Sequence, residues 1–516
     1  MSVDTADAHE TLVQCLLDPA CWRAGGGDRR RVDTHISTVL LAGDRAFKIK
    51  KPLDLGFLDF RTLAARRHAC DEEMRLNSRF APEIYLGVAA ITGTTGAPAI
   101  GEPGEPIDWA VEMRRFDPDA ILSHQAATLA PDLVEALARR VAAVHAEAPA
   151  CAPGDPYGTP EAAYRPMADN FAQLQDAAPA QSETLRRLAA WTLEQRDRLA
   201  ASVERRRAGG RVRECHGDLH LGNVALIDGE PVVFDALEFD PALRWIDCIN
   251  DIAFMLMDLQ ARGRPELAHR FLDHYLQDSG DYAGLEVLQY YLVYRALVRA
   301  KIAAIRLSQS LDASEGAAVA AEMNDYVALA ERLSAPARGA IVMTCGVSGS
   351  GKSHAAAGLT GPLPAVRIRS DVERKRLLGL SAGEDATALG GYAESLTDKT
   401  YRRLAELAGK VAAAGYVAVA DATYLRRAQR ELLRAEAERT GVPLLVLDCE
   451  ASPEVLRARI LQRRSERDNV SDADLEVLEQ QLASREPLAA EEAALSVQVT
   501  PGSPLDVEAV RRRLFG

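Results

Sequence analysis

The chain has 516 residues, 47% of them hydrophobic and 26% charged, which supplies apolar material for roughly two to four domains and excludes a disordered or fibrous chain. A formal charge of −14 argues against coating nucleic acid or an anionic membrane through a net field, although local basic clusters escape that argument. The eight cysteines include no C-x-x-C pair, so neither a structural zinc site nor a disulfide framework is expected. No run approaches the ~18 apolar residues of a membrane span, and the polar, acidic start reads as a cytoplasmic protein.

In chain order, 34–41 and 45–50 read as strands joined by Ala42-Gly43-Asp44, a hairpin. A helix is expected over 63–80, where Leu and Met recur at helical spacing among Arg, Glu and Ala. A strand at 84–91, a Gly/Pro-rich surface loop at 93–106 and a strand at 109–113 follow. From about 131 to 332 the apolar spacing is helical, with one strand-like island at 224–234 broken by Asp228-Gly229. Small residues with Pro and Gly at 333–339 mark a boundary. Beyond it, strands at 340–344, 366–368, 417–420, 444–447 and 497–499 alternate with helices, the pattern of a parallel sheet covered on both faces. The units expected are a front lobe over 1–113, a helical lobe over 114–332, a linker over 333–339 and an α/β domain over 340–516.

Two constellations carry chemistry. The first is His216-Gly217-Asp218-Leu219-His220-Leu221-Gly222-Asn223, with Asp235 twelve residues later at the end of an apolar run. Phosphoryl transfer needs an acceptor hydroxyl held beside a carboxylate and hard oxygen ligands for Mg²⁺. That assigns Asp218 as base and Asn223 with Asp235 as metal ligands. Two plainer readings stand beside it: His216 and His220 as zinc ligands, which the neighbouring glycines oppose, and a turn whose Asp and Asn only cap backbone groups.

These residues resemble the aminoglycoside phosphotransferase and choline kinase-like family, a relative of the protein kinases, from about Val32 to Leu307. The H-G-D-x-H-x-x-N pattern falls on His216, Gly217, Asp218, His220 and Asn223, and the later metal-binding Asp on Asp235. The resemblance implies that Asp251 braces the catalytic loop. It also implies that Lys48 contacts the α and β phosphates of ATP with Glu73 as its ion-pair partner, and that the hinge lies near Glu112-Met113-Arg114. Lys50 shares the strand face of Lys48, so the two remain alternatives. No G-x-G-x-x-G occurs in the front lobe, which leaves the 34–38 region to cover the phosphates. Arg295 and Arg299, four apart on one helix, suit either an anionic acceptor or ion pairs within their own lobe.

The second constellation is Gly346-Val347-Ser348-Gly349-Ser350-Gly351-Lys352-Ser353, a G-x-x-x-x-G-K-S loop between an apolar strand and a helix. Its backbone N–H groups, at Gly346, Ser348, Gly349, Ser350 and Gly351 among others, wrap phosphates; Lys352 reaches the β and γ phosphates and Ser353 ligates Mg²⁺. Asp421, ending the strand 417–420, has the place of a carboxylate that holds Mg²⁺. Asp371 follows the strand 366–368, where acceptors sit in open α/β sheets; the competing reading makes Ser370 and Glu373 a capping box. The helix starting near Pro453 carries Arg457, Arg459, Arg463 and Arg464, and Arg467 begins the polar loop after it; such a segment suits a lid that closes on the phosphates, with a solvated face the competing reading for at least two of these arginines.

This part resembles the small P-loop kinases typified by gluconate kinase, zeta toxin and the polynucleotide kinase domain, over about Ala340 to Leu514. The whole chain is similar to bacterial bifunctional proteins that join the two types. The fold class is thus an α+β two-lobed protein-kinase-like domain followed by an α/β P-loop NTPase domain. The function expected is a bifunctional ATP-dependent phosphotransferase with two Mg²⁺-ATP sites, acting on hydroxyls of a small metabolite, a sugar or amino sugar. The alternatives are a P-loop switch regulating the front kinase, and polynucleotide 5′-end phosphorylation, which the net charge disfavours. Motifs encode neither the acceptor nor the oligomeric state.

Overall fold

The computed structural model describes residues 3–18, 29–54, 58–308, 312–380, 384, 394–463, 475–500, 502 and 504–516. Packing divides the chain into two compact units: Met1–Leu137 with Val144–Asp169 and Ala200–Asp258, and Ala138–Ala143 with Asn170–Leu199 and Leu259–Gly516.

The first unit opens with helix α1 (Val3–Leu17) and strands β1 (Arg29–Asp33), β2 (Ser37–Ala42) and β3 (Arg45–Lys50), followed by α2 (Leu63–Phe80) and strands β4 (Tyr85–Thr94), β5 (Ala97–Ile100) and β6 (Pro106–Arg114). The six strands form one antiparallel sheet in the order β1-β2-β3-β6-β4-β5. Strand alternation gives the sheet two apolar faces. Leu40, Phe47, Ile49 and Ala110 pack against Leu12, Val13 and Leu16 of α1. Ala46, Val111 and Met113 join Ala225, Ile227 and Val232 on the other side. Helix α2 starts where Thr62 Oγ1 accepts the Ala65 N–H at 3.1 Å, an N-cap. Its buried residues Arg66, Ala69, Cys70, Glu73, Leu76, Asn77 and Phe80 follow the helical period, which carries Glu73 to the sheet side.

The expected loop at 93–106 needs correction. It holds the end of β4 and all of β5, joined by the two-residue turn Thr95-Gly96. Pro98 disguised the strand, and a sheet edge is where proline is tolerated. The helical stretch from 131 comprises α3 (Pro131–Glu147), α4 (Pro160–Ala177) and α5 (Ser182–Ala208), but also the paired strands β7 (Val212–Glu214) and β10 (Trp245–Asp247), too short for periodicity to betray them. Between these lie the hairpin β8 (Val224–Ile227) and β9 (Glu230–Val233), at the expected island, and α6 (Pro241–Arg244); α7 (Cys248–Ala261) follows.

The second unit contains α8 (Pro265–Ser279), α9 (Leu285–Leu307) and α10 (Ala313–Ser334). Its sheet holds β11 (Ala340–Cys345), β12 (Ala365–Arg369), β13 (Val417–Asp421), β14 (Leu444–Cys449) and β15 (Ser496–Val499), all parallel, in the order β12-β13-β11-β14-β15. The five strands stand at the expected places. Every residue of β11 and β13 is buried, as central parallel strands with both faces covered must be. Helices α11 (Lys352–Leu359), α12 (Ser370–Leu377), α13 (Glu394–Ala413), α14 (Arg427–Thr440), α15 (Pro453–Arg463), α16 (Leu475–Ser484), α17 (Ala490–Ala494) and α18 (Val507–Phe515) complete it. Among the described residues no helix is long and apolar enough to cross a membrane.

Candidate active sites

In the first unit β3 turns Ala46, Lys48 and Lys50 to one face. Lys48 Nζ lies 2.9 Å from Glu73 Oε1 and 2.5 Å from Asp235 Oδ1. Lys50 Nζ lies 2.5 Å from Glu73 Oε2 and also bonds Glu238. Glu73 therefore bridges both lysines. Lys50 and Glu73 are wholly buried, whereas the Asp235 side chain is 42% exposed, so only Lys48 joins the buried pair to an open carboxylate. Burial opposes the charge of Lys48, but Asp235 and then Glu73 and Glu238 hold its pKa well above the ordinary value. Burial likewise opposes ionisation of Glu73; Lys48 and Lys50 outweigh it and bring the carboxyl down to about 2.

Asp235 adopts φ 63°, a left-handed conformation uncommon for a residue with a side chain and one that costs energy unless its surroundings impose it. Here they do: its N–H donates to Tyr85 Oη at 3.1 Å and the next N–H, of Ala236, to Asn77 Oδ1 at 2.9 Å.

The loop 216–223 is held from beneath by two carboxylates. Asp251 accepts the N–H groups of His216 and Gly217 at 3.1 and 2.8 Å and meets His145 Nε2 at 3.1 Å. Asp258 accepts the Leu221 N–H at 3.0 Å. Gly217 has φ 85°, and a Cβ there would stand 2.9 Å from the Leu243 carbonyl, so the close turn admits only glycine. Asn223 Nδ2 donates to the Asp218 carbonyl at 2.9 Å and to its Oδ2 at 3.0 Å, and His220 Nε2 lies 3.4 Å from the same carboxylate. His216 is fully buried, burial lowers its pKa, and its Nε2 donates to the Phe234 carbonyl at 2.9 Å. The two histidines thus serve different partners instead of converging on a metal.

In the second unit the strand ends Cys345, Arg369 and Asp421 lie together at the carboxyl end of the parallel sheet. The phosphate loop leaves β11 there and runs to Lys352, the first residue of α11. Ser353 Oγ is 3.2 Å from Asp421 Oδ1. Lys352 Nζ donates to the Val347 carbonyl at 2.8 Å. Ser350 is buried, and Gly346, Ser348, Gly349 and Gly351 complete a loop packed under β14 and α15. Gly346 has φ 143°, and a Cβ on it would come within 2.3 Å of the Cys449 carbonyl, which is why the loop begins with glycine.

Asp371 stands in the first turn of α12, with Arg374 Nη1 3.2 Å from its Oδ1. The capping box expected as the competing reading is absent: Arg369 is the N-cap, without a side-chain bond, and Glu373 is buried against Arg376 and Arg403. Arg463 ends α15, its side chain lying outside the described residues, as Arg467 does entirely. Among the described side chains of α15, Arg459 reaches the loop, its Nη1 donating to the Gly349 carbonyl at 3.1 Å. Gln481 of α16 is a further contact, its Oε1 accepting the Ser348 N–H at 2.7 Å. The helical arginine run held the signal for Arg459 without marking its phase; nothing local marked Gln481. Of the α9 arginines, Arg299 pairs with Glu322 at 3.4 Å, the ion-pair reading.

The sequence matches the phosphotransferase enzyme family over residues 62–288 and an AAA domain over 341–488. Uncharacterized protein Rv2004c of Mycobacterium tuberculosis strain H37Rv is 32% identical over 484 residues, 92% of this chain and 91% of that protein. Among solved structures, choline kinase from Cryptosporidium parvum is 11% identical, covering 59% of this chain and 89% of its own, with a TM-score of 0.38. A gluconokinase from Sinorhizobium meliloti is 22% identical, covering 35% and 91%, with a TM-score of 0.24.

Proposed function

Because this chain belongs to the family of that mycobacterial protein and is itself an ATP-dependent kinase with a phosphotransferase part followed by a P-loop AAA part, we propose that it runs two separate Mg²⁺-ATP sites, each phosphorylating a hydroxyl of a small metabolite. The observation that carries this reading is a paired one. Each part brings a carboxylate to a residue proposed for its Mg²⁺-ATP site: Asp235 to Lys48 at 2.5 Å, and Asp421 to Ser353 at 3.2 Å.

In the first site Lys48, positioned by Glu73, would hold the nucleotide phosphates, and Asn223 with Asp235 would hold Mg²⁺. Asp218 takes the proton of the acceptor hydroxyl, and its orientation by Asn223 and His220 supports that role. In the second, the glycine-rich loop and Lys352 would hold the phosphates, Ser353 and Asp421 the cation, and Asp371 the acceptor proton. Arg459 joins Arg463 and Arg467 as a candidate for the phosphates. Bound Mg²⁺ supplies neutralisation of charge on the transferring group. A sugar or amino sugar in the cytoplasm is the acceptor class proposed, and two fused sites suit successive phosphorylation of one molecule.

The test is a metabolite pool incubated with γ-labelled ATP and resolved by mass spectrometry, using wild type, Asp218→Asn and Lys352→Ala. Each substitution is expected to remove a different product. If neither changes any phosphorylation, the proposal fails; if Lys352→Ala alters only the yield of the first product, the P-loop part is a switch.

A further inference from the structure

One peptide unit of the phosphate loop is held at both ends. The carbonyl of Val347 accepts from Lys352 Nζ at 2.8 Å, and the N–H of Ser348, on the opposite side of the same trans peptide, donates to Gln481 Oε1 at 2.7 Å. The two ties differ in kind. Lys352 belongs to the loop motif and reaches the β and γ phosphates. Gln481 is 133 residues away, in α16, and its oxygen sits on a loop N–H, the type of donor with which such loops grip anions.

The position of α16 is not casual. Leu478, one helical turn before Gln481, is wholly buried against Val347, Leu456 and Ile460, so the glutamine is aimed at the loop by a packed face. A backbone N–H bound to a neutral amide oxygen gains less than one bound to a phosphate oxygen, because charge-assisted hydrogen bonds are roughly twice as strong.

We propose that Gln481 is a positioning residue that competes with the terminal phosphate for the Ser348 N–H, so that the P-loop discriminates between nucleoside triphosphate and diphosphate partly through α16. The proposal rests on the reading of this loop as an ATP site. A triphosphate draws Lys352 off Val347 and takes over the Ser348 donor, and Gln481 withdraws; a diphosphate, lacking the terminal group, leaves Gln481 in place.

The test uses the full chain with Mg²⁺ and either ATP or ADP, and follows hydrogen exchange of the peptide spanning 346–353, which reports this loop whatever binds elsewhere. Gln481→Met removes the competing oxygen and should tighten ATP binding by roughly threefold to tenfold, the worth of one net hydrogen bond. Gln481→Glu keeps the bond and adds a charge beside the terminal phosphate. It should weaken ATP by roughly tenfold and ADP by much less, lowering the ATP-to-ADP affinity ratio. Thermal melts of both variants confirm folding. A wild-type loop that gains no protection from ATP removes the reading of the site itself. A loop that binds ATP but shows an unchanged ratio in Gln481→Glu, or weaker ATP binding in Gln481→Met, overturns the competition alone.

Discussion

The carboxylate of Asp273, in α8, accepts the backbone N–H of Arg367 at 2.7 Å and its guanidinium at 2.8 Å (Nε) and 2.6 Å (Nη2), with both side chains removed from water. Arg367 sits on β12, one of the two edge strands of the parallel sheet, and its carbonyl is bonded by Tyr282 Oη at 3.2 Å. An edge that would otherwise offer open backbone groups is thereby closed by α8 and the turn after it. Removing one partner of a buried, hydrogen-bonded pair leaves the other charge uncompensated. Asp273→Ala should therefore lower the stability of this unit by about 3–5 kcal/mol in urea unfolding. Asp273→Asn, which still accepts the Arg367 N–H, should fall between; an unshifted midpoint for the alanine variant would show that the edge contact is dispensable.

The same cluster sets a pH dependence. Arg367 Nη2 lies 3.2 Å from His274 Nε2, so a donor faces the ring and the neutral imidazole is favoured. Burial is the main cause that brings the His274 pKa from 6.5 down to about 4; Asp273 acts against it, and Arg367 and Arg139 add to it. A folded value below the unfolded one means that the unfolded chain takes up the proton first as pH falls. The contribution is present above about 6.5 and is lost as pH falls toward about 4, amounting to about 3 kcal/mol in full. Unfolding free energies measured between pH 7 and 4 should fall steeply in wild type and more gently in His274→Gln.

Lys48 and Lys50 should separate cleanly by substitution. Lys48→Met leaves Glu73 paired with Lys50 and leaves Asp235 in contact with water, so folding should persist while the first product falls by roughly 10²–10³, as when one preorganised charge is removed from a transition-state site. Lys50→Met strands Glu238 in the interior and should cost about 3–5 kcal/mol of stability. Equal effects of the two on product formation, at unchanged stability, would contradict the division of labour.

How much of this was legible in the sequence depended on how local the determining contacts are. The phosphate loop, its flanking strand and helix, and the turn at Gly217 are written into adjacent residues whose backbone conformations are local matters. The choice between Lys48 and Lys50 is not, because both occupy one strand face and the partners that distinguish them, Asp235 for Lys48 and Glu238 for Lys50, lie 187 and 188 positions away. Asp258 under the loop 216–223 and Gln481 on the phosphate loop are of that second type, held in place by packing that no short window contains. The strand β5 was hidden for a different reason: its proline is a mark of loops everywhere except at a sheet edge.

Gly346 offers the sharpest steric test of the second site. Its φ of 143° lies outside the range of other residues, and an added methyl would meet the Cys449 carbonyl at 2.3 Å and Ser350 Oγ at 2.7 Å. The carbonyl cannot retreat cheaply, since Cys449 ends a strand paired with β15. Gly346→Ala must therefore displace the start of the loop, and a shift of about 1 Å at a positioning element is enough to cost roughly 10²-fold in rate. The second product should fall by at least that factor while the first is retained. Gly358, in α11, is the control: a methyl there meets nothing within 4 Å, so Gly358→Ala should leave the second product intact and stabilise the chain by about 0.4–1 kcal/mol. Retention of the second product in Gly346→Ala, measured beside this control, would place phosphate binding away from the loop.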